Sequence, residues 1–202
     1  MKHIITIQHT QSIHHTNGMV GSWTDWELSE LGRQHAKMIG QKLSAELTGQ
    51  EWKIYSSDLL RAKQTAAPLA RYMGVEVKYL IKLREGNQGE AVGKSREWSK
   101  LNRLKPASDD FDVDFAYFNG AETWREFWNR VMNLQNDILA DEAENIILVS
   151  HGGTLAVWHQ TWLGTEIHMP KFVKAGGVSF YQINENNERI VKRHNDFTYI
   201  GE

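Results

Sequence analysis

Three short polar clusters in this 202-residue chain contain side chains that can bind anions or act as nucleophiles, and each follows an apolar run. They are Gln8 with His9, residues 56–58 (SSD) with Arg61, and residues 150–153 (SHGG). An imidazole is a good nucleophile near neutral pH, and a planar guanidinium holds an anion through two parallel hydrogen bonds. A strand-to-helix turn at 150–153 would add free N–H groups and a helix dipole that favour an anion. The residue types therefore predict chemistry on an anionic group, provided that the fold brings the clusters together.

The elements around these clusters predict an α/β fold. Apolar runs predict strands at 3–8, 52–56, 75–80, 145–150, 178–183 and 189–193. Helical spacing predicts helices at 30–47, 58–73, 121–140 and 153–163, with a short helix near 95–104. Because strands and helices alternate, we expect a mainly parallel central sheet with helices on both faces. Ligands bind such sheets beyond the carboxyl ends of the strands, which is where the three clusters fall.

Several residues are expected to set the ends of the helices. Ser29 is a suitable N-cap for the first helix, and Gly74 and Gly164 are suitable C-terminal stops. Pro68 lies inside the second helix and is expected to kink or divide it. Asp58 is expected to cap that helix or to lie in its first turn.

The chain is predicted to form one domain over residues 1–202, with an irregular insertion at about 81–120. A long irregular excursion in a compact domain is usually functional or mobile. Its aromatic side chains either form a small satellite core or cover the site, and they are Trp98, Phe111, Phe115, Tyr117 and Phe118. If they line the site, the substrate carries an apolar or aromatic group. Trp124 and Trp128, four residues apart, are expected in the core.

The composition argues against several classes of protein. A net charge of −2 gives no basic footprint for nucleic acid. No apolar run reaches the roughly 18 residues that would span a membrane, and the first residues do not form a secretory signal peptide. The chain has no cysteine, which excludes disulfides, thiol catalysis and thiolate metal sites. We therefore expect a cytoplasmic protein that binds neither nucleic acid nor membrane.

Six motifs occur along the chain in a fixed order. They are QHTQS at 8–12, Asp25 with Leu28-Ser29 and Gly32, SDLLRAKQTA at 57–66, LREGNQG at 83–89, Glu122-Thr123 with Arg130, and VSHGGTL at 149–155. In order and spacing they resemble the motifs of the histidine phosphatase superfamily, also called phosphoglycerate mutase-like. The resemblance covers about residues 4–155 and implies the α/β fold of that family. It also implies a metal-independent phosphomonoester hydrolase that works through a phosphohistidine.

The resemblance implies a role for each matching residue. His9 would be the nucleophile that accepts the phosphoryl group, and Glu85 the general acid that protonates the leaving oxygen. Arg61 and His151 would act with them by holding phosphate oxygens. The other implied phosphate contacts are Gln8, Ser12, His15 and Gly152. No metal or cofactor is implied, and the expected partner is a small phosphorylated substrate.

Elementary chemistry supports this division of labour. A phosphohistidine divides one difficult displacement into two easier ones. Phosphoryl transfer depends mainly on alignment and on positive charge around three equatorial oxygens, which a guanidinium supplies better than an ammonium.

The first motif departs from the family pattern at three positions. Gln8 stands where the family has an arginine, and loss of one transition-state donor costs about 10²–10³ in rate. Thr10 replaces the family glycine and places a β-branched side chain beside His9. His15 falls where many members have a phosphate-binding asparagine. We hypothesise that a protonated His15 or His14 restores some of the missing positive charge.

Three other functions fit the sequence less well than hydrolysis. The substitutions at Gln8 and Thr10 favour a weak or inactive relative that binds phosphorylated ligands or a protein partner. A metal site would use the four histidines of the motifs, His9, His14, His15 and His151, but their spacing matches no metal-binding motif. A phosphomutase must exclude water while an intermediate reorients, and no dedicated element for this is evident in the sequence.

Overall fold

A six-stranded sheet forms the centre of the molecule, and the computed structural model describes residues 1–108, 110–169 and 174–201. The strands are β1 (Lys2–Gln8), β2 (Lys53–Ser56), β3 (Val77–Tyr79), β4 (Asn145–Ser150), β5 (Val178–Ile183) and β6 (Arg189–Asp196). Their order in the sheet is β3-β2-β4-β1-β5-β6. The first four of these are mutually parallel, whereas β5 runs antiparallel to β1 and pairs with β6 as a hairpin.

Five α-helices accompany the sheet in the described parts of the chain. They are α1 (Glu30–Glu46), α2 (Leu60–Met73), α3 (Arg96–Asn102), α4 (Trp124–Ala140) and α5 (Gly152–Leu163). Alternate residues of β1 face opposite sides of the sheet. Ile5 and Ile7 pack into the cluster formed by α1 and α2, while Ile4 packs into the cluster formed by α4 and α5. The predicted α/β architecture, mainly parallel with helices on both faces, is therefore confirmed.

The second helix differs from its prediction in two respects. Pro68 does not divide α2, which continues to Met73. Four of its six buried residues belong to the apolar cluster that α2 shares with the sheet and α1. The two helices pack closely at Gly40, where a Cβ would lie 2.8 Å from the Leu69 nitrogen. Asp58 does not cap α2: its carboxylate forms a bidentate ion pair with Arg84, at 2.6 and 2.7 Å, and the N-cap position belongs to Leu59.

The ends of the other helices follow their capping residues. Ser29 accepts a hydrogen bond from the Gly32 nitrogen and caps α1 as predicted. Helix α4 begins at Trp124, three residues later than expected, because Thr123 and Glu126 form a capping box. Gly74 and Gly164 end α2 and α5 in the left-handed conformation. No helix in the described residues is long and apolar enough to cross a membrane.

The segment 81–120, of which Asp109 lies outside the described residues, lies at the carboxyl edge of the sheet, where the Leu83 carbonyl accepts from Ser150 at the end of β4. It contains two short 3₁₀ turns and α3, and its ends approach each other through a bridge between Gln88 and Ala121. Leu104 donates to the Tyr117 carbonyl, which closes the part beyond α3 into a loop. This segment forms the wall opposite the strand ends described next.

Candidate active site

The three polar clusters meet because β1, β4 and β2 are neighbours that run parallel. Their carboxyl ends lie side by side, so that the His9 nitrogen donates to the Ser150 carbonyl and the Ser57 nitrogen to the Val149 carbonyl. The rings of His9 and His151 lie 5.0 Å apart, edge to face. Arg61, in the first turn of α2, donates from Nε to His9 Nε2 at 3.2 Å. The convergence predicted from the strand-end pattern is present.

His9 is held in the form that a nucleophile requires. Its Nδ1 lies 2.8 Å from the Thr10 carbonyl oxygen, which can only accept, so Nδ1 carries the proton. Nε2 therefore has a free lone pair, and it is this atom that Arg61 approaches. Burial, reinforced by the Arg61 charge, holds the pKa of His9 well below its usual range. The ring is neutral at physiological pH with one nitrogen available for attack.

Arg61 is the fixed cation beside His9. Its side chain is almost completely buried, and the two terminal nitrogens each donate to a backbone carbonyl at 2.7 Å, those of Thr24 and Ser22. Burial lowers its pKa to about 10, so the guanidinium remains charged at neutral pH. These bonds use one N–H of each terminal nitrogen and leave the second for an anion.

His151 and Gly152 mark the turn from β4 into α5. The His151 ring is fully buried, with Nε2 2.8 Å from Ser57 Oγ and Nδ1 without a hydrogen-bond partner among the described residues. Burial, with the charge of Arg61, keeps the pKa of His151 well below its usual range. Gly152 lines the cavity described below, while His151 lies behind His9.

Glu85 occupies the N-terminus of α5, where the sequence indicated an anion site. One carboxyl oxygen accepts from the Gly153 nitrogen at 2.9 Å, and the other from Thr154 at 3.2 Å and Gly86 at 2.9 Å. A Cβ at position 153 would lie 2.4 Å from Glu85 Oε1, so this contact requires glycine there. The helix terminus thus holds a protein carboxylate, which faces the same cavity as His9.

Arg130 fixes the loop that carries Glu85. It forms a bidentate pair with Glu122, at 2.7 and 2.8 Å, and donates to the carbonyl oxygens of Lys82, Arg84 and Glu85. The sequence motif of Glu122 and Arg130 therefore corresponds to an ion pair that holds the backbone of the loop carrying Glu85.

The histidine pair beside His9 is neutral, contrary to the expectation of a protonated His15 or His14. The His15 Nδ1 accepts from the Ser12 nitrogen at 3.2 Å, so its proton is on Nε2. Burial, followed by the charges of neighbouring groups, lowers the pKa of His15 to about 4 and that of His14 to about 3. His15 stacks on His9 at 5.5 Å and offers an N–H, without a charge.

Ser12 lies beneath this pair, although the sequence indicated a direct phosphate contact. It is fully buried, and its hydroxyl forms a 2.9 Å hydrogen bond with His14 Nδ1. With its backbone nitrogen bonded to His15, Ser12 orients both rings.

The two substituted positions beside His9 have different consequences. Gln8 lines the cavity, and its Oε1 is buried without a hydrogen-bond partner among the described residues. Thr10 is fully buried, and its hydroxyl donates to the Gly32 carbonyl at 2.7 Å. The branched side chain of Thr10 therefore points into the protein, away from the cavity, whereas Gln8 gives the cavity lining an uncharged amide.

Ser22 is an important residue that the sequence did not reveal. Its φ of 45° is unusual for a non-glycine residue. Its hydroxyl donates to the Gly86 carbonyl at 2.7 Å and accepts from the Gln88 nitrogen at 2.9 Å, while its own carbonyl accepts from Arg61. Ser22 thus joins the loop that holds Arg61 to the loop that follows Glu85. Neither its residue type nor its neighbours form a motif that could have identified it.

A cavity of about 800 Å³ opens above these residues, with the strand ends as its floor and the segment 81–120 as its far wall. Of the five aromatic residues of that segment, Tyr117 and Phe118 line the cavity. Trp98 stacks on Phe118, Phe115 contacts Tyr117 edge to face, and Phe111 contacts Trp124 edge to face. Both alternatives considered for these residues thus apply in part. Trp124 also lines the cavity, whereas Trp128 is in the core as expected.

No group of three or more His, Asp or Glu side chains in the described residues is arranged to hold a metal ion. In the histidine cluster, Nδ1 of His9, His14 and His15 is in each case occupied by a hydrogen bond.

Known proteins that are similar in sequence to this chain include a phosphoglycerate mutase-like protein and a phosphatase. Over 207 residues the chain is 29% identical to phosphoglycerate mutase-like protein 4 of Arabidopsis thaliana, covering 98% of this chain and 87% of the relative. Over 200 residues it is 26% identical to glucosyl-3-phosphoglycerate phosphatase of Mycobacterium tuberculosis, covering 91% and 85%.

Solved structures share the fold. The mycobacterial glucosyl-3-phosphoglycerate phosphatase determined with VO3 superimposes with a TM-score of 0.79 at 22% identity, over 96% of this chain and 99% of the other. At that identity the likeness establishes the architecture alone. The family model of the histidine phosphatase superfamily (branch 1) matches residues 4–196.

Proposed function

Because this chain belongs to the histidine phosphatase superfamily, we propose that it hydrolyses small phosphomonoesters through a phosphohistidine on His9. The observation that carries the proposal is the state of the His9 ring. A proton fixed on Nδ1 by the Thr10 carbonyl leaves an unprotonated Nε2 beside the Arg61 guanidinium. The names of the relatives, phosphatases among them, support the reaction class.

In the first step, His9 Nε2 attacks phosphorus and the bond from phosphorus to the ester oxygen breaks. Arg61 must release Nε2 at this point, and its remaining N–H groups are available to the phosphoryl oxygens. The neutral Nε2–H of His15 and the Gln8 amide add donors without charge. Such preorganised donors act mainly by stabilising charge that develops in the transition state.

Glu85 supplies the proton that the leaving oxygen requires. In the acid form one carboxyl oxygen keeps accepting from the backbone of Gly153 or Thr154, while the O–H points into the cavity. In the second step the carboxylate takes a proton from water, the water oxygen bonds to phosphorus, and the bond from phosphorus to Nε2 breaks. Inorganic phosphate leaves and both residues return to their starting states.

A second candidate function is phosphate-ester binding with weak or absent turnover. The observation that favours it is the lack of a second fixed charge at the phosphoryl end, where Gln8 replaces an arginine and His14 and His15 are neutral. A mutase reaction ranks below both, because the sequence shows no dedicated element that would exclude water while an intermediate reorients.

A panel of phosphate esters assayed with EDTA separates these functions. We expect turnover that EDTA does not affect and that His9→Ala reduces by about 10⁴-fold or more, as for loss of other enzyme nucleophiles. His35→Ala is the matched control, since His35 belongs to none of the motifs and lies on α1. Tight binding of esters without turnover would favour the second candidate, and inhibition by EDTA would contradict the proposed chemistry.

A further inference from the structure

His14 lies close to the reacting histidine, yet none of the proposed steps uses it. Its ring lies 6.0 Å from that of His9 and 4.1 Å from that of His15, and all three residues line the cavity. Gly21 provides room for the His14 ring, because a Cβ at position 21 would lie 2.7 Å from His14 Nε2. The His14 ring is therefore part of the wall at the phosphoryl end of the cavity.

The hydrogen bond of His15 requires a neutral ring. His15 Nδ1 accepts from the backbone nitrogen of Ser12 at 3.2 Å, and a backbone N–H can only donate. A second proton on the His15 ring would lie on Nδ1, where it would face the Ser12 N–H, and the bond would be lost. The His15 ring thus keeps its hydrogen bond only while it is uncharged.

The hydrogen bond of His14 permits either protonation state. His14 Nδ1 lies 2.9 Å from Ser12 Oγ, and a hydroxyl can both donate and accept. When Nδ1 carries a proton, the hydroxyl can turn its own proton towards the Trp26 carbonyl, which lies 3.5 Å away. His14 Nε2 has no hydrogen-bond partner among the described residues. His14 can therefore carry a proton on both nitrogens without losing a bond.

The surroundings keep His14 neutral in the free protein. Burial is the main cause of its low pKa of about 3, and the charged arginines that act on it are Arg61 of α2 and Arg96 of α3. The carboxylate of Glu85 faces the same cavity but accepts from three backbone nitrogens. The other titratable groups near His14 are the rings of His9, His15 and His151.

A bound phosphoryl group would reverse this balance. An opposite charge within about 4–6 Å favours the charged form of an imidazole and raises its pKa by about 1–3. A phosphoryl dianion beside His9 brings two such charges to the wall that His14 lines. The unpaired Nε2 would then become a charged donor.

We propose that His14 is a further phosphoryl-binding residue, which takes up a proton when a tetrahedral dianion binds beside His9, whereas His15 stays neutral. The inference rests on the proposed function and deepens it, because it names the group that supplies the charge which the Gln8 amide lacks. The charge is present only while the anion is bound, so the free protein does not have to hold another buried cation beside Arg61.

Nuclear magnetic resonance of the full chain, with 15N in its histidine rings, tests this directly. Spectra are recorded from pH 5 to 8 in potassium sulfate and in potassium chloride of equal ionic strength. Sulfate is the probe because it is a tetrahedral dianion throughout this range, so that it takes up no proton itself. We expect His14 to be neutral throughout in chloride and to become charged at low pH in sulfate, with its pKa raised by about 2 or more.

Two rings of the same protein serve as internal controls in these spectra. His15 should remain neutral in both salts, because its Nδ1 is bonded to the Ser12 nitrogen. His35, on α1 and outside the cavity lining, should give the same signals in both salts. This comparison uses the wild type alone, so it does not depend on the folding of a variant.

His14→Asn and His15→Asn form a matched pair for calorimetry of sulfate binding. In the wild type the affinity should be about threefold or more higher at pH 5 than at pH 7.5, because proton uptake favours binding at low pH. His14→Asn should reduce this gain, and His15→Asn should retain it.

A His14 ring that stays neutral in sulfate, a charge on His15 in its place, or a lack of sulfate binding would each overturn the inference. The proposed function is judged separately by ester hydrolysis. If the wild type hydrolyses esters while His14 stays neutral in sulfate, only the inference fails. If His14 becomes charged in sulfate but no ester is hydrolysed, the inferred anion site stands and the proposed function fails.

Discussion

The two ends of the cavity are built in opposite ways. At the phosphoryl end, His9, Arg61 and His151 are buried, and Arg61 and Glu85 are each held by three hydrogen bonds. On α3 the basic side chains are exposed and none has a carboxylate partner in the described chain. A reacting group must be held within a fraction of an ångström, whereas a charge that attracts a substrate acts over longer distances. On the proposed function, we expect the chemistry to take place at the rigid end.

The largest effect is expected from removing the proton donor at the rigid end. Glu85→Gln keeps an oxygen that can accept from the α5 backbone but has no acidic proton. We expect kcat/KM for propyl phosphate to fall about 10²–10⁴-fold, and that for p-nitrophenyl phosphate to fall far less, because nitrophenolate leaves without protonation. Glu76→Gln, on the exposed surface, is the control. Equal losses on both substrates would contradict the assignment of Glu85 as general acid.

Restoring a charge at the phosphoryl end should have a smaller effect in the opposite direction. Gln8→Arg would place a guanidinium on the cavity floor, and we expect inhibition by inorganic phosphate to tighten by about tenfold. Gln8→Lys adds the same charge without the planar fork and should gain less. If Gln8→Arg binds phosphate no better than the wild type, Gln8 is not the cause of a charge deficit at this end.

Variants of Ser22 test how much the free energy of unfolding depends on this residue and its left-handed backbone conformation. Ser22→Ala removes two hydrogen bonds and retains the unfavourable φ, so we expect a loss of about 1–3 kcal/mol in the free energy of unfolding. Ser22→Gly removes the same bonds but relieves roughly 1–2 kcal/mol of backbone cost. Urea titrations should therefore rank the glycine variant above the alanine variant. The reverse order would show that the left-handed conformation carries no cost here.

The smallest effect concerns the neutral histidine pair. In the unfolded chain His14 and His15 take up protons near their ordinary pKa of 6.5, but in the folded chain only near pKa values of about 3 and about 4. The unfolded state therefore binds more protons between these values, and stability declines as pH falls from about 6.5 towards 4. His15→Asn should flatten this decline in unfolding experiments at pH 4.5, 5.5 and 7. An unchanged slope would mean that His15 is already protonated in the folded protein.

The rigid end was largely readable from the sequence, and the reason is topological. Polar residues at the ends of parallel strands must share one edge, so His9, Arg61 and His151 could be expected together before the structure was known. The sequence did not show which residue each of these side chains would form a hydrogen bond or an ion pair with. Asp58 forms an ion pair with Arg84 and does not cap α2. The two residues are distant in sequence, and they meet only because the loop at 81–85 lies at the carboxyl edge of the sheet.

The position of α3 on the cavity wall was not readable from the sequence, and neither was the protonation state of His14 and His15. Basic residues on a short helix are usually solvated, and nothing in their spacing shows that α3 faces the cavity. Likewise, the sequence led us to expect a positive charge on His15, but burial and the charge of Arg61 lower its pKa. Both causes depend on tertiary packing, which the sequence does not show. Ser22 adopts a conformation that its residue type disfavours, so local propensity points away from it.

Trapping of the phosphorylated enzyme tests the central claim most directly. A phosphate ester labelled at phosphorus is mixed with the protein in the presence of EDTA, and the reaction is stopped in alkali within milliseconds to seconds. The account predicts an acid-labile phosphate on His9 Nε2 of the wild type, located by peptide mass spectrometry, and none on His9→Ala. Turnover by the wild type without label on His9, or with label on another residue, would contradict it.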